Sequence, residues 1–241
     1  MLYLIGLGLD KKDVSLKALD TIKKCKLVYI DIYTNVFYYK IKDIEKIIKK
    51  KIIKASRQFI EENDDIIIQA KKQNVAMLVS GDPLAATTHI DMMLRAKKEK
   101  IKVNIIHAPS IFTAISETGL QLYKFGKTAS IPKWTESFRP ESFFGIIEDN
   151  LKIKSHTLIL IDIGMSVNEA LSQLLEASRK RNKELKKKIV VGEMLGTDNS
   201  RISYEKIEKL MKKKFRLPAC IIIPSELHFM EEDALKTLSK K

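Results

Sequence analysis

Short apolar runs stand at 2–5, 27–30 and 75–79, with a sparser one at 101–107. Between them lie stretches in which Ile, Leu and Met recur among lysines at helical spacing. An unbroken apolar run bounded by turn residues reads as a strand buried on both faces. The clearest is Val75-Ala76-Met77-Leu78-Val79, cut off at once by Ser80-Gly81-Asp82-Pro83. The first strand runs into Gly6-Leu7-Gly8-Leu9, after which Asp13 or Ser15 caps a helix carrying Leu16, Leu19 and Ile22 on its inner face. Asp31 ends the second strand. Helical patterns follow at 43–53, at 58–70 with the break Asn63-Asp64-Asp65, and at 87–98. The strand at 101–107 ends in a second sharp turn, His107-Ala108-Pro109-Ser110-Ile111. Strands alternating with helices predict a parallel sheet.

After about residue 108 the pattern changes. A strand is predicted at 128–131, then an irregular surface loop at 132–140 with Trp134 and Arg139, which reads either as a plain exposed loop or as a surface for a partner protein. A helix at 142–151, a strand at 157–162 and a helix capped by Asn168 and reaching 181 come next. Strands at 189–194 and 201–203, a helix at 204–214 and a last strand at 219–223, broken by Pro224, complete the pattern. The short 192–201 connection predicts antiparallel neighbours. The expected architecture is two α/β domains, 1–108 with a mostly parallel sheet and 109–241 with a mixed one.

At 241 residues, 45% hydrophobic and 31% charged, the chain is long enough for a packed core in each domain. No apolar run approaches the roughly 20 residues that span a bilayer. Met1-Leu2-Tyr3-Leu4-Ile5 lacks a basic leader and a cleavage site, so it reads as a strand and not a signal peptide. Cys25 and Cys220 sit far apart in apolar surroundings, which predicts buried free thiols and a reducing, cytoplasmic setting. The net charge of +14, from 44 basic against 30 acidic residues, raises a nucleic-acid partner. Yet lysine dominates over arginine, and the runs 49–51, 186–188 and 212–214 fall at helix or loop ends without the interleaved aromatics of a stacking platform. They read as solvated faces. His89, His107, His156 and His228 show no metal-ligand spacing, and no hydrolase elbow or Walker lysine is present, so no metal is expected.

The candidate chemistry lies at three strand ends. In open α/β sheets ligands sit outside the carboxyl ends of the strands. Gly81 lets a ligand or second backbone approach, Asp82 places a carboxylate there, and Pro83 holds the turn open. Gly6-Leu7-Gly8 resembles half of a dinucleotide fingerprint, but Lys11 takes the third glycine's place and no helix starts at once. Such an edge admits a flat, mostly neutral ligand held by backbone groups.

The combination of Gly6-Leu7-Gly8-Leu9, Ser80-Gly81-Asp82-Pro83-Leu84-Ala85-Ala86-Thr87-Thr88-His89 and His107-Ala108-Pro109-Ser110-Ile111 resembles the diphthine synthases, within the tetrapyrrole-methylase-like superfamily. Thr118-Gly119-Leu120-Gln121-Leu122-Tyr123-Lys124-Phe125-Gly126-Lys127, His156-Thr157-Leu158 and Leu227-His228 extend the resemblance over essentially the whole chain. The lysine-rich character and lack of extensions are similar to an archaeal member. The resemblance implies a two-domain fold with S-adenosylmethionine in the cleft between the domains, S-adenosylhomocysteine as product, and a cytoplasmic homodimer. It implies methylation of the amino group of a modified histidine on translation elongation factor 2, a step in making diphthamide. Carried over residue by residue, the cofactor contacts fall on Leu9, Asp82, Ala85 (where the family often has valine), Ser110, Ile111, Ile161, Ile202 and His228. The region 192–200 departs most from the pattern. The amine must lose a proton before the first transfer, and the sequence identifies no base. Two other readings stay open: a methylase of the same superfamily acting on a tetrapyrrole or ribosomal RNA, and a basic nucleic-acid-binding protein.

Overall fold

The computed structural model describes residues 1–34, 36–183 and 188–239. Its contacts divide the chain into two units, Met1–Ala114 and Ile115–Lys241. The sequence pattern put this boundary at 108/109. Residues 109–114 group instead with the first unit, following Ala108, whose N–H donates to Asp82.

The first unit runs β1 (Leu2–Gly6), α1 (Leu16–Lys23), β2 (Leu27–Asp31), α2 (Ile41–Ile48), β3 (Ile53–Ala55), α3 (Arg57–Glu61), α4 (Asp65–Lys72), β4 (Val75–Val79), α5 (His89–Lys98), β5 (Val103–Ile106) and α6 (Ile111–Ala114). The strands pair in the order β3-β2-β4-β1-β5, every pair parallel. β4 holds the centre, and all its residues are 0% exposed. Val75, Met77 and Val79 pack on one face with Leu2, Leu4 and Tyr29; Ala76 and Leu78 pack on the other with Ile5, Val28 and Ile30. Because side chains alternate across a strand, a strand covered on both sides has no position left for a polar residue. Burial of each large side chain contributes about 1.5–3 kcal/mol.

Several boundaries differ from the sequence pattern. Ser15 is the cap of α1, accepting the Ala18 N–H at 3.1 Å, while Asp13 serves the loop before it. Leu16, expected on the inner face, is 81% exposed; Ala18 and Ile22 are the buried positions. The helix expected at 43–53 stops at Ile48, because Lys49 turns left-handed and frees Ile53–Ala55 to pair with β2. The stretch 58–70 is two helices, with Ser56 capping the first.

The second unit opens with 3-10 turns at Ile115–Thr118 and Leu122–Lys124. β6 (Ala129–Ile131), α7 (Ser142–Lys152), β7 (Thr157–Ile161), α8 (Val167–Lys180), β8 (Ile189–Glu193), β9 (Arg201–Glu205), α9 (Ile207–Leu210), β10 (Ala219–Ile223) and α10 (Phe229–Leu238) follow. The sheet order is β6-β7-β10-β8-β9, with β6 parallel to β7 and the other pairs antiparallel. α8 starts on Ser166 and not on Asn168: Ser166 and Glu169 form a reciprocal capping box, and the Asn168 amide donates to the Met211 and Lys213 carbonyls. The helix expected at 204–214 shrinks to α9, because Tyr204 and Glu205 extend β9 against Val190 and Ile189. Trp134 is half-buried against the core, its indole N–H donating to Pro140 O. Lys186 and Lys187 of the basic run lie outside the described residues, and the Lys188 ammonium stands 5.1 Å from the Tyr204 ring centroid. Cys25 and Cys220 are buried and free; burial pushes both thiols up, Cys220 to about 12. No helix among the described residues is long and apolar enough to cross a membrane.

Candidate active site

The parallel register of β1, β4 and β5 brings their carboxyl ends side by side, and the three turn motifs close on Gly6. A methyl group at Gly6 would stand 2.6 Å from Gly81 O, 2.8 Å from Ala108 Cβ and 3.1 Å from Pro83 Cδ. The other two motifs therefore both press on Gly6 of the first, and only a glycine leaves room for these three neighbours.

Beyond it, Gly8 and Gly81 both have positive φ, 75° and 72°, a conformation open to glycine at no steric cost. They exchange backbone hydrogen bonds, Gly81 N–H to Gly8 O at 2.8 Å and Gly8 N–H to Gly81 O at 3.3 Å. The amides of Leu9 and Asp10 both donate to one oxygen of Asp13 at 2.9 Å. A resident carboxylate thus holds the place an incoming phosphate would need. This is the physical reason the glycine loop is not a phosphate cradle.

Gly81 forms an open floor. An ideal Cβ there would lie 3.8 Å from Ser110 Cα and Cβ and 3.9 Å from Leu9 Cδ2, so a ligand atom fits between those side chains. Ala85 N–H donates to Asp82 O at 3.2 Å, and Ile111 opens α6 directly after Ser110. Leu9, Asp82, Ala85, Ser110 and Ile111 accordingly share one edge of the first unit.

Asp82 proves to be a structural hub as well as a candidate contact. One oxygen accepts the Leu84 N–H at 3.0 Å; the other accepts the Ala108 N–H at 3.2 Å and stands 2.7 Å from His107 Nδ1. Asp82→Ala leaves two amides without their acceptor, at a cost of about 1–3 kcal/mol. It is expected to lower the unfolding midpoint and to weaken cofactor binding by about one to two decades. Calorimetry beside thermal unfolding checks both; an unchanged midpoint would give the carboxylate to the ligand alone.

In the second unit, Ile161 ends β7, and Ile202 lies in the row Leu160, Cys220, Gly192, Ile202 that crosses the sheet. These two lie toward one end of the strands. His228 lies off the other end, following Ile223, which pairs with Thr157. It begins α10, with Nδ1 accepting the Met230 N–H at 3.3 Å.

His228 is joined to a buried network that sequence reading missed. Glu231, fully buried, accepts from the Gln121 and His228 amides at 2.9 and 2.8 Å, Lys124 Nζ at 2.5 Å and His156 Nε2 at 3.0 Å. His156 Nδ1 accepts the Ser225 N–H at 2.9 Å, so the ring is neutral and donates from Nε2. The available signal was Glu231 three residues after a helix cap. His89 is also buried, its Nε2 3.4 Å from Asp31, and burial pulls its pKa down against the pull of that carboxylate.

The model of the Tetrapyrrole (Corrin/Porphyrin) Methylases matches residues 1–211. A diphthine synthase of Methanococcus maripaludis is 43% identical, the match covering 99% of this chain and 98% of the relative. The diphthine methyl ester synthase of Schizosaccharomyces pombe is 35% identical, with 98% and 93% covered. A crystal structure of diphthine synthase superposes with a TM-score of 0.91 at 31% identity, covering 99% of this chain and 96% of that one. Full-length likeness in sequence and in fold coincides with the three strand-end motifs that meet at Gly6, and the chain belongs to the diphthine synthases, methyltransferases of the tetrapyrrole methylase family.

Proposed function

We propose that the protein transfers methyl groups from S-adenosylmethionine to the amino group of the modified histidine of translation elongation factor 2, in diphthamide biosynthesis. The observation that carries this reading is the match to diphthine synthase over 99% of the chain. S-adenosylhomocysteine is the product, and a cytoplasmic homodimer is the working form. Leu9, Asp82, Ala85, Ser110 and Ile111 of the first unit hold the cofactor, with Ile161, Ile202 and His228 of the second. The fit is supported by Gly81, where an added atom would meet Leu9 and Ser110 at ordinary contact distance, and by Asp82, which can accept hydrogen bonds from amino or ribose groups. When bound, the cofactor supplies an electrophilic methyl on a sulfonium. The chain's own part is to hold the methyl acceptor in line and close, where orientation alone is worth about 7–11 kcal/mol of the barrier.

The test is incubation with labelled S-adenosylmethionine and elongation factor 2 carrying the unmethylated intermediate, in nuclease-treated mixtures. Label is expected on the factor, with moderate loss between low and physiological salt. Phosphate contacts would instead give a steep salt dependence. Activity that vanishes on nuclease treatment would point to ribosomal RNA. Intact mass counts the methyl groups. Base lability separates an ester, which the fission yeast relative's name specifies, from N-methylation.

A further inference from the structure

Each methyl group placed on an ammonium releases one proton, because the nitrogen must first recover its lone pair. The proposed function therefore requires a proton acceptor. Resting on that reading, we propose that His107 is the acceptor, held in place by Asp82.

His107 follows β5 at the shared edge, one residue before Ala108, which packs against Gly6. Asp82 Oδ2 lies 2.7 Å from its Nδ1 and also accepts the Ala108 N–H. A carboxylate that accepts from the backbone also accepts from the ring, so Nδ1 carries the proton and Nε2 holds the lone pair. Among the described residues, Asp82 is the charged group in hydrogen-bond or ion-pair contact with this imidazole. The His107 side chain is 68% exposed and that of Asp82 14%. This suits a base that meets a side chain presented on another protein's surface, with its orienting partner sheltered behind it. As a hydrogen bond to so exposed a ring, the contact contributes little to folding.

The other histidines are committed elsewhere. His156 uses both ring nitrogens, His228 spends Nδ1 on the Met230 amide, and His89 is fully buried.

In the step, His107 Nε2 takes a proton from the substrate ammonium. The freed lone pair attacks the methyl carbon; the carbon–sulfur bond breaks and its electron pair stays on sulfur. The sulfonium becomes a thioether, the amine a methylated ammonium, and the imidazolium returns its proton to solvent before the next transfer.

His107→Asn tests this, since the Asn amide can still donate to Asp82 but takes no proton. Calorimetry with S-adenosylhomocysteine is expected to show unchanged affinity. Turnover on elongation factor 2 should fall about 10²-fold or more at neutral pH, with the deficit shrinking as rising pH deprotonates the amine directly. His107→Ala should regain activity with added imidazole. A variant with the wild-type rate and pH profile overturns the assignment. So does one whose turnover falls in step with lost cofactor affinity, which would make His107 a binding residue. A wild-type chain that leaves the factor unlabelled overturns the substrate reading, and this assignment falls with it.

Discussion

Glu231→Ala is expected to lower the unfolding free energy by about 3–5 kcal/mol, the range for removing one partner of a buried ionic network. The fully buried carboxylate gathers two backbone amides, an ammonium and an imidazole. Its loss leaves the two amides and the imidazole N–H without their acceptor, while Lys124 keeps its bond to Glu226 O. Denaturant unfolding of the variant measures the effect, and a change below about 1 kcal/mol, as expected of an exposed pair, would show that the network is not what holds α10. The same group predicts a pH signature. Burial alone would push the Glu231 carboxyl up, but the bonds from Lys124, Gln121, His228 and His156 outweigh it and hold it at about 2, against an ordinary 4.5. A carboxyl depressed in the folded state contributes stability that is complete above about 4.5 and lost as pH falls toward 2; at 1.36 kcal/mol per pH unit this is about 3 kcal/mol. His156 adds an earlier limb. Burial holds its imidazole below the ordinary 6.5 even against Glu231, so the folded state resists protonating it, and stability declines as pH falls below about 6.5. The unfolding midpoint should therefore hold level above neutrality and drop in two stages below it, and Glu231→Ala should flatten the more acid one.

Gly6→Ala is expected to damage stability and cofactor binding together. The new methyl would meet a backbone oxygen, Gly81 O, at 2.6 Å and Ala108 Cβ at 2.8 Å, so the turn after β4 or the one after β5 must move. Overpacking of this kind costs about 1–3 kcal/mol. Because the displaced residues adjoin Asp82, His107 and Ser110, affinity for S-adenosylhomocysteine should fall about tenfold or more. Gly145→Ala is the control: it lies inside α7, nothing stands within 4 Å of the added carbon, and the exchange should stabilise the helix by about 0.5–1 kcal/mol. If Gly6→Ala binds the ligand and melts like the wild type, the three turns do not depend on one another.

The turn motifs were legible along the chain because each is local. A strand buried on both faces must be apolar throughout, as Val75–Val79 is, and its end must show as Gly, Asp or Pro where the ladder stops. Parallel alternation then placed those ends on one edge without any knowledge of contacts. The capping box Ser166 to Glu169 was equally local and equally readable, and Asn168 was expected in its place. Helix length was less legible. Nothing in the apolar spacing of 43–53 shows that Lys49 leaves the helix, because the pairing of Ile53–Ala55 with β2 is a gain from another part of the chain. The rotation of α1, which exposes Leu16 and buries Ala18, is set by its neighbours in the same way.

The sequence by itself determined the alternating architecture, the carboxyl-end placement of the three turn motifs and the family, since each depends on residue type at short spacing. Tertiary structure alone decided that Gly6 is the meeting point of three turns, that Asp82 braces its neighbours and orients His107, and that Glu231 joins Gln121, Lys124, His156 and His228 in one buried network. The links from Asp82 to His107 and from Glu231 to Gln121 join residues 25 and 110 positions apart. Hydrogen-bond partners at such separations are chosen by packing, and no local pattern records the choice.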